Sequence, residues 1–153
     1  MNTVLSDIIC DNNKLTNLDV TKNPLLRLLY CHENLLTSLN VSKNTQLTHL
    51  GFGGNQIPEI DVTNNKELWL FWCPNGVLTN LDLSENSVLG YLDCNANQLS
   101  TLNISSNTAL TSIFLKDMPS LNQICVWETP FPPVEVDLDI TGSPNIYFTT
   151  DCN

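Results

Sequence analysis

The chain has 153 residues, the size of one domain and enough to bury a continuous hydrophobic core. Its formal net charge is -10, so it should repel nucleic-acid backbones and anionic lipid, and nucleic acid is not an expected partner. The sequence has no apolar run of about 18 residues or more, which argues against membrane insertion.

A 21-residue period runs through most of the chain. Apolar residues, mainly leucine, recur at the same five positions of each unit, and asparagine recurs at two others. A sixth apolar position holds cysteine in four units, at Cys10, Cys31, Cys73 and Cys94. The unit reads L-x-x-L-x-C-x-x-N-x-L-x-x-L-D-V-[ST]-x-N-x-x, and its first half has the pattern of a leucine-rich repeat.

This pattern predicts a leucine-rich-repeat solenoid, α/β-type in class but mostly strand and turn, with little helix. One unit alone cannot bury its apolar side chains, whereas stacked units bury them against their equivalents above and below. Alternation within residues 5–10 turns Ile8 and Cys10 inward and predicts a parallel sheet on the concave face. Short extended or turn segments are expected on the convex face, and the asparagine side chains should bond the backbone at the bends.

The regular repeats are expected to end near residue 122. Residues 1–122 would then form six repeats and residues 123–153 a C-terminal cap, within a single structural domain. Pro130, Pro132 and Pro133 argue against another regular turn, and the alternation from Val134 to Ile140 predicts a short strand across the final repeat. Such a cap would cover the apolar interior of the last turn.

Cys125 and Cys152 lie outside the cysteine column and bracket the predicted cap. We expect a disulfide between them, worth about 3–4 kcal/mol through restriction of the unfolded chain. The alternative is a pair of free buried thiols. Glu135, Asp137 and Asp139 have a spacing that could suit calcium, but even spacing on a strand also makes one solvated edge. We therefore expect no metal site and no cofactor.

Cys31 and His32 are adjacent and could suggest nucleophilic catalysis. However, Cys31 is predicted to point into the core and His32 away from it, and a reactive thiolate needs an exposed, electropositive setting. One cysteine per turn leaves no C-x-x-C pair for zinc, and a disulfide between adjacent turns would be strained. The sequence therefore predicts free thiols in the cysteine column and a protein that is not an enzyme.

The outward positions of the predicted strands carry a candidate ligand-binding surface on the concave face. Soluble proteins rarely expose a contiguous apolar patch without a use, and tyrosine and tryptophan are common interface anchors. The alternative is that these side chains only shield the sheet from water. The candidate residues are Leu28, Tyr30, His32, His49, Leu70, Trp72, Tyr91, Asp93 and Phe114.

The repeat resembles the 21-residue cysteine-ladder repeats of bacterial internalin-type surface proteins, as in LGYLDCNANQLSTLNISSNTA at residues 89–109. The tail, ICVWETPFPP followed by GSPNIYFTTDC, is similar to the cap of such repeats in secreted proteins of Gram-negative gut bacteria. This resemblance implies a secreted or cell-surface adhesion or recognition module that binds a protein or a glycan. The alternative function is a structural spacer or stalk with no ligand of its own.

The N-terminal end of the predicted stack has no cap. MNTV is too short to cover the first turn, so the strand near Ile8 would present an open apolar edge. We expect self-association through this end or a longer protein that extends upstream. The opening MNTVLSDIIC lacks signal-peptide features, so we expect that a leader has been removed or that the chain begins inside a longer protein.

Overall fold

The computed structural model describes residues 3–152, which form stacked turns with one long and one short parallel sheet. No residue in this range is helical, so the described chain offers no helix that could span a membrane. The ten strands have three residues each: β1 (Asp7–Ile9), β2 (Leu28–Tyr30), β3 (His49–Gly51), β4 (Leu70–Trp72), β5 (Tyr91–Asp93), β6 (Thr101–Asn103), β7 (Ser112–Phe114), β8 (Gln123–Cys125), β9 (Asp137–Asp139) and β10 (Tyr147–Thr149).

The long sheet has seven strands in the order β1-β2-β3-β4-β5-β7-β9. Each strand pairs in parallel with the next at the register that the 21-residue period predicts; for example, Leu29 lies opposite Leu50 and Phe71 lies opposite Leu92. The short sheet, in the order β10-β8-β6, forms only in the last three turns. The predicted solenoid with its parallel sheet is therefore confirmed.

The interior consists of the repeated apolar columns. The middle residue of each strand from β2 to β5 is fully buried, and Phe71 packs edge-on against Phe52 with ring centroids 5.5 Å apart. The cysteine column forms a ladder of free thiols, in which the Cys73 thiol donates to the Cys94 sulfur at 3.4 Å. Each turn thus buries its apolar residues against the same positions of its neighbours.

The first asparagine column satisfies the backbone at the corner that follows the long sheet. Asn34 Oδ1 accepts the N–H of Leu15 in the preceding turn at 3.0 Å. Its Nδ2 donates to the carbonyls of Cys10 and Cys31 at 3.0 and 3.1 Å. Asn55 and Asn97 repeat this arrangement in later turns. One amide therefore ties two turns together at a bend where the backbone would otherwise lack partners.

The second asparagine column lies on the opposite bend. Asn44 is fully buried, and its Nδ2 donates to the carbonyls of Val20 and Asn23 in the preceding turn at 3.0 and 2.8 Å. Asn65, Asn86 and Asn107 repeat both bonds. The bonds predicted for the asparagine columns are therefore present at both bends.

Residues 123–152 form a further turn of the stack. β9 confirms the short strand predicted between Val134 and Ile140, but it pairs in parallel with β7 as a further strand of the long sheet and does not lie across the final repeat. The turn accommodates its prolines because it is longer: Met118 and Ser143 hold equivalent positions but are 25 residues apart. The Ser143 hydroxyl donates to the Leu115 carbonyl at 2.6 Å and accepts from the Met118 N–H at 2.9 Å, where earlier turns use asparagine.

The C-terminal segment is held by a disulfide and an aromatic cluster. Cys125 and Cys152 are joined by a disulfide, with Cα atoms 5.6 Å apart. Phe131 packs against both Trp127 and Phe148, each at a centroid distance of 5.1 Å. The division of the chain at residue 122 into repeats and a cap stays a prediction, and Asn153 lies outside the described residues.

The N-terminal turn is less buried than the turns that follow it. Ile9 is 68% exposed and Cys10 is only partly buried, whereas Cys31 is fully buried. The difference arises because no described turn covers β1 on its outer side. Self-association through this end stays a prediction, and Met1 and Asn2 lie outside the described residues.

Candidate binding face

The strands of the long sheet place most of the predicted ligand-binding residues in two adjacent columns. We call the outward side of this sheet, which is the side predicted to be concave, the sheet face. Leu28, His49, Leu70 and Tyr91 form one column, and Tyr30, Gly51, Trp72, Asp93 and Phe114 form the other. His32 follows β2 and packs against the second column.

Three rings meet above Gly51. The His32 and Trp72 ring centroids are 3.9 Å apart, and Tyr30 meets Trp72 edge-on at 6.2 Å. Any side chain at residue 51 would collide with the rings of His32 and Tyr30, so glycine creates the space that these rings fill. Gly51, which is not among the predicted ligand-binding residues, thus determines how the aromatic side chains pack.

Two polar members of the predicted surface lie beneath Trp72 and are not exposed. His32 and Asp93 are each only 8% exposed, and the Trp72 side chain lies close enough to the Asp93 carboxylate to oppose the rise in its pKa. Asp93 Oδ1 also accepts the N–H of Asn95 at 3.0 Å. Burial raises the pKa of Asp93 and lowers that of His32. Both residues therefore support Trp72 from below, while the indole remains 37% exposed.

A second set of rings extends the aromatic surface on both sides of the Trp72 cluster. Tyr91 and Phe114 pack at a centroid distance of 5.4 Å, and His49 lies 5.7 Å from Trp69. Trp69 is 48% exposed and lies over Gly90, where a Cβ would collide with the indole. We did not predict Trp69, because it precedes β4 by one residue, and only an outward position beside the strand could have indicated it.

A groove of about 250 Å³ runs beside Trp72, at the end of the sheet where the strands give way to the first asparagine column. At this corner each turn contains one residue with positive φ, among them Asn12, Glu33, Gly54 and Asn75. The groove is lined by Asp11, Asn12, His32, Glu33, Gly53, Trp72, Pro74 and Asn75. It therefore combines the Trp72 indole with two carboxylates, and no lysine or arginine lines it.

The Cys31 and His32 side chains do not form a nucleophilic pair. Cys31 is fully buried, and burial raises the pKa of its thiol to about 12, so the thiol is protonated at neutral pH. His32 instead packs on Trp72, and its buried Nε2 lacks a hydrogen-bond partner within residues 3–152. In the same part of the chain, no group of three or more histidine, cysteine or acidic side chains could hold a metal ion.

Solved structures that are similar to this chain include two internalins and one leucine-rich-repeat domain. The functional domain of InlJ from Listeria monocytogenes, which includes a cysteine ladder, is 30% identical over 82% of this chain and 40% of its own, at a TM-score of 0.46. InlF, an internalin from Listeria monocytogenes strain 4b F2365, is 16% identical over 99% of this chain and 49% of its own, with a TM-score of 0.72. The leucine-rich-repeat domain of APL1B is 22% identical over 89% of this chain and 44% of its own, with a TM-score of 0.65.

The chain therefore spans less than half the length of each of these proteins. No protein-family model and no curated protein matches it. The fold rests on the two neighbours with the higher TM-scores, together with the parallel register and the 21-residue spacing of the turns. This chain has the leucine-rich-repeat fold, and its turns contain a ladder of free cysteines.

Proposed function

We propose that the chain is a recognition module that binds a protein partner on its sheet face. The observation that carries the proposal is the aromatic surface around Trp72, which is both exposed and held in place. Tryptophan and tyrosine anchors in well-packed settings supply most of the binding energy in many protein interfaces. The predicted contact residues are those of the sequence analysis, with Trp69 added and with His32 and Asp93 as supports.

Binding accounts for this surface better than shielding of the sheet from water. A shielding layer would place its largest rings flat over the strands, yet Trp69 and Trp72 are 48% and 37% exposed. Gly51 leaves the space in which Trp72 packs against His32 and Tyr30, and these ring contacts hold the indole in place. An anchor that is already ordered loses less side-chain entropy when a partner binds.

The proposed setting is the outside of a bacterial cell, as an adhesion or recognition module. The Cys125–Cys152 disulfide supports this setting, because such bonds persist in oxidising compartments. The internalin neighbours support it by likeness of fold alone. Binding is proposed in preference to catalysis, because the thiol of Cys31 is buried and protonated.

The proposal can be tested by probing arrays of cell-surface proteins and glycans with the purified domain. We expect a protein ligand whose binding is weakened at least about thirtyfold by Trp72→Ala, as for an interface anchor. Lys43→Ala changes an exposed side chain of the predicted convex side and is the matched control. A ligand that binds Trp72→Ala normally but loses Lys43→Ala would contradict the sheet-face proposal. A glycan as the sole ligand would contradict the choice of partner, and no ligand at all would favour the spacer.

A further inference from the structure

The groove beside Trp72 contains carboxylates whose negative charge is not balanced by a neighbouring cation. Asp11 uses one oxygen, Oδ1, to accept the backbone N–H of His32 at 2.7 Å. Glu33 extends its carboxylate over Gly54, where a Cβ would meet it. Within residues 3–152, neither carboxylate forms an ion pair; the two salt bridges found there join Lys66 to Glu85 and Lys116 to Asp139.

The other walls of the groove also favour a positively charged occupant. Trp72 borders it with a partly exposed indole, which packs against the His32 ring. The face of an indole attracts cations through its quadrupole. His32 adds no opposing charge at neutral pH, because burial lowers its pKa. Aromatic and acidic groups therefore converge on one space of about 250 Å³.

We propose that this groove binds a lysine or arginine side chain of the protein partner, with the cation between the Trp72 indole and the carboxylates of Asp11 and Glu33. The inference rests on the proposed function and specifies the chemistry of the partner. The aliphatic stem of the side chain would lie along Trp72 and Pro74, which line the groove. The net charge of -10 would also attract a basic segment before contact.

The test uses the whole chain and three acetylated tripeptide amides, Gly-Arg-Gly, Gly-Lys-Gly and Gly-norleucine-Gly, as probes. Binding is followed by NMR through the indole N–H signal of Trp72, assigned by its loss in Trp72→Phe. We expect the arginine and lysine peptides to shift this signal and the norleucine peptide to leave it unchanged. A shift that norleucine reproduces, or the absence of any shift with arginine and lysine, would overturn the proposal.

Two double variants separate the groove from general charge attraction. Asp11→Asn with Glu33→Gln should weaken arginine-peptide binding at least about fivefold, the effect of roughly two partly exposed ion pairs. Asp61→Asn with Glu59→Gln removes the same charge elsewhere and should change binding less than about twofold, the lower end of such effects. The control is matched, because Asp61 also accepts a backbone N–H, that of Thr63, at 3.0 Å. Equal losses in the two double variants would overturn the proposal.

The same variants distinguish this inference from the proposed function. If the array partner loses binding to Trp72→Ala but not to the Asp11/Glu33 variant, the sheet face binds a partner and the cation site is wrong. If the peptides bind in the groove while the array partner binds both Trp72→Ala and the Asp11/Glu33 variant normally, the cation site stands and the proposed function is wrong.

Discussion

The interior and the sheet face of this molecule are built from the same strands but follow different rules. Inward positions hold nearly the same residue in every turn, as in the column that contains Leu50 and Leu92, because each turn packs against a copy of itself. Outward positions change from turn to turn, so that Gly51 lies beside Trp72. Repetition therefore stabilises the stack, while variation shapes one region of its surface.

Phe71→Ala should cause the largest loss of stability, because it removes a fully buried ring that packs on Phe52. We expect a decrease of about 3–5 kcal/mol in the free energy of unfolding, measured by urea denaturation. Leu70 lies one residue away on the sheet face and is half-buried. Leu70→Ala should therefore lower the free energy of unfolding by clearly less. Equal losses in the two variants would remove the distinction between interior and face.

Cys152→Ser should destabilise the chain by about 3–4 kcal/mol, because it opens a covalent loop with a sequence separation of 27 residues. Reduction of the unaltered protein should produce the same loss in denaturant titrations, and the variant should not respond to reductant. A variant as stable as the parent would mean that the last turn is held by packing alone.

Trp72→Ala should weaken binding of the array partner by about 2 kcal/mol or more. Its effect on stability should be smaller than that of Phe71→Ala, but not zero, because the indole covers His32 and accounts for its burial. Calorimetric titration and urea denaturation of the same samples separate the two effects. If Trp72→Ala loses as much stability as Phe71→Ala and still binds the array partner normally, Trp72 is not a binding anchor of the sheet face.

Cys73→Ser should lower the free energy of unfolding by about 1–3 kcal/mol, because a hydroxyl replaces a thiol in an apolar column. In the native protein, the buried thiols of Cys31, Cys73 and Cys94 should resist a thiol reagent. Cys10 should react first, since it is only partly buried. Mass spectrometry of the labelled protein identifies the sites, and rapid labelling of Cys73 would contradict the buried ladder.

The stability of the chain should fall as the pH decreases through about 6.5, the ordinary histidine pKa. Burial lowers the pKa of His32 in the folded state, so the unfolded chain binds the proton more tightly and acid favours unfolding. His32→Asn should reduce this slope. Denaturation midpoints between about pH 7.5 and 5.5 test the prediction, and an unchanged slope in His32→Asn would contradict it.

The sequence by itself determined the repeat, the direction of each side chain in the strands and the cysteine ladder. These features could be predicted because every turn repeats one pattern, so a residue and its neighbour in space are 21 positions apart. It also indicated Tyr30, Trp72, Tyr91 and Phe114 as outward residues, since alternation along a strand is a local property.

Only the tertiary structure decided which outward residues are exposed, because exposure depends on side chains in other turns. Gly51 and Gly90 leave space that neighbouring rings fill, which buries His32 and positions Trp69. The last turn differs for a related reason: its extra residues break the spacing from which register was predicted, although β9 still continues the sheet. Pairing with β7 lets Leu138 follow Ile113 in the interior column, which a strand lying across the stack would not allow.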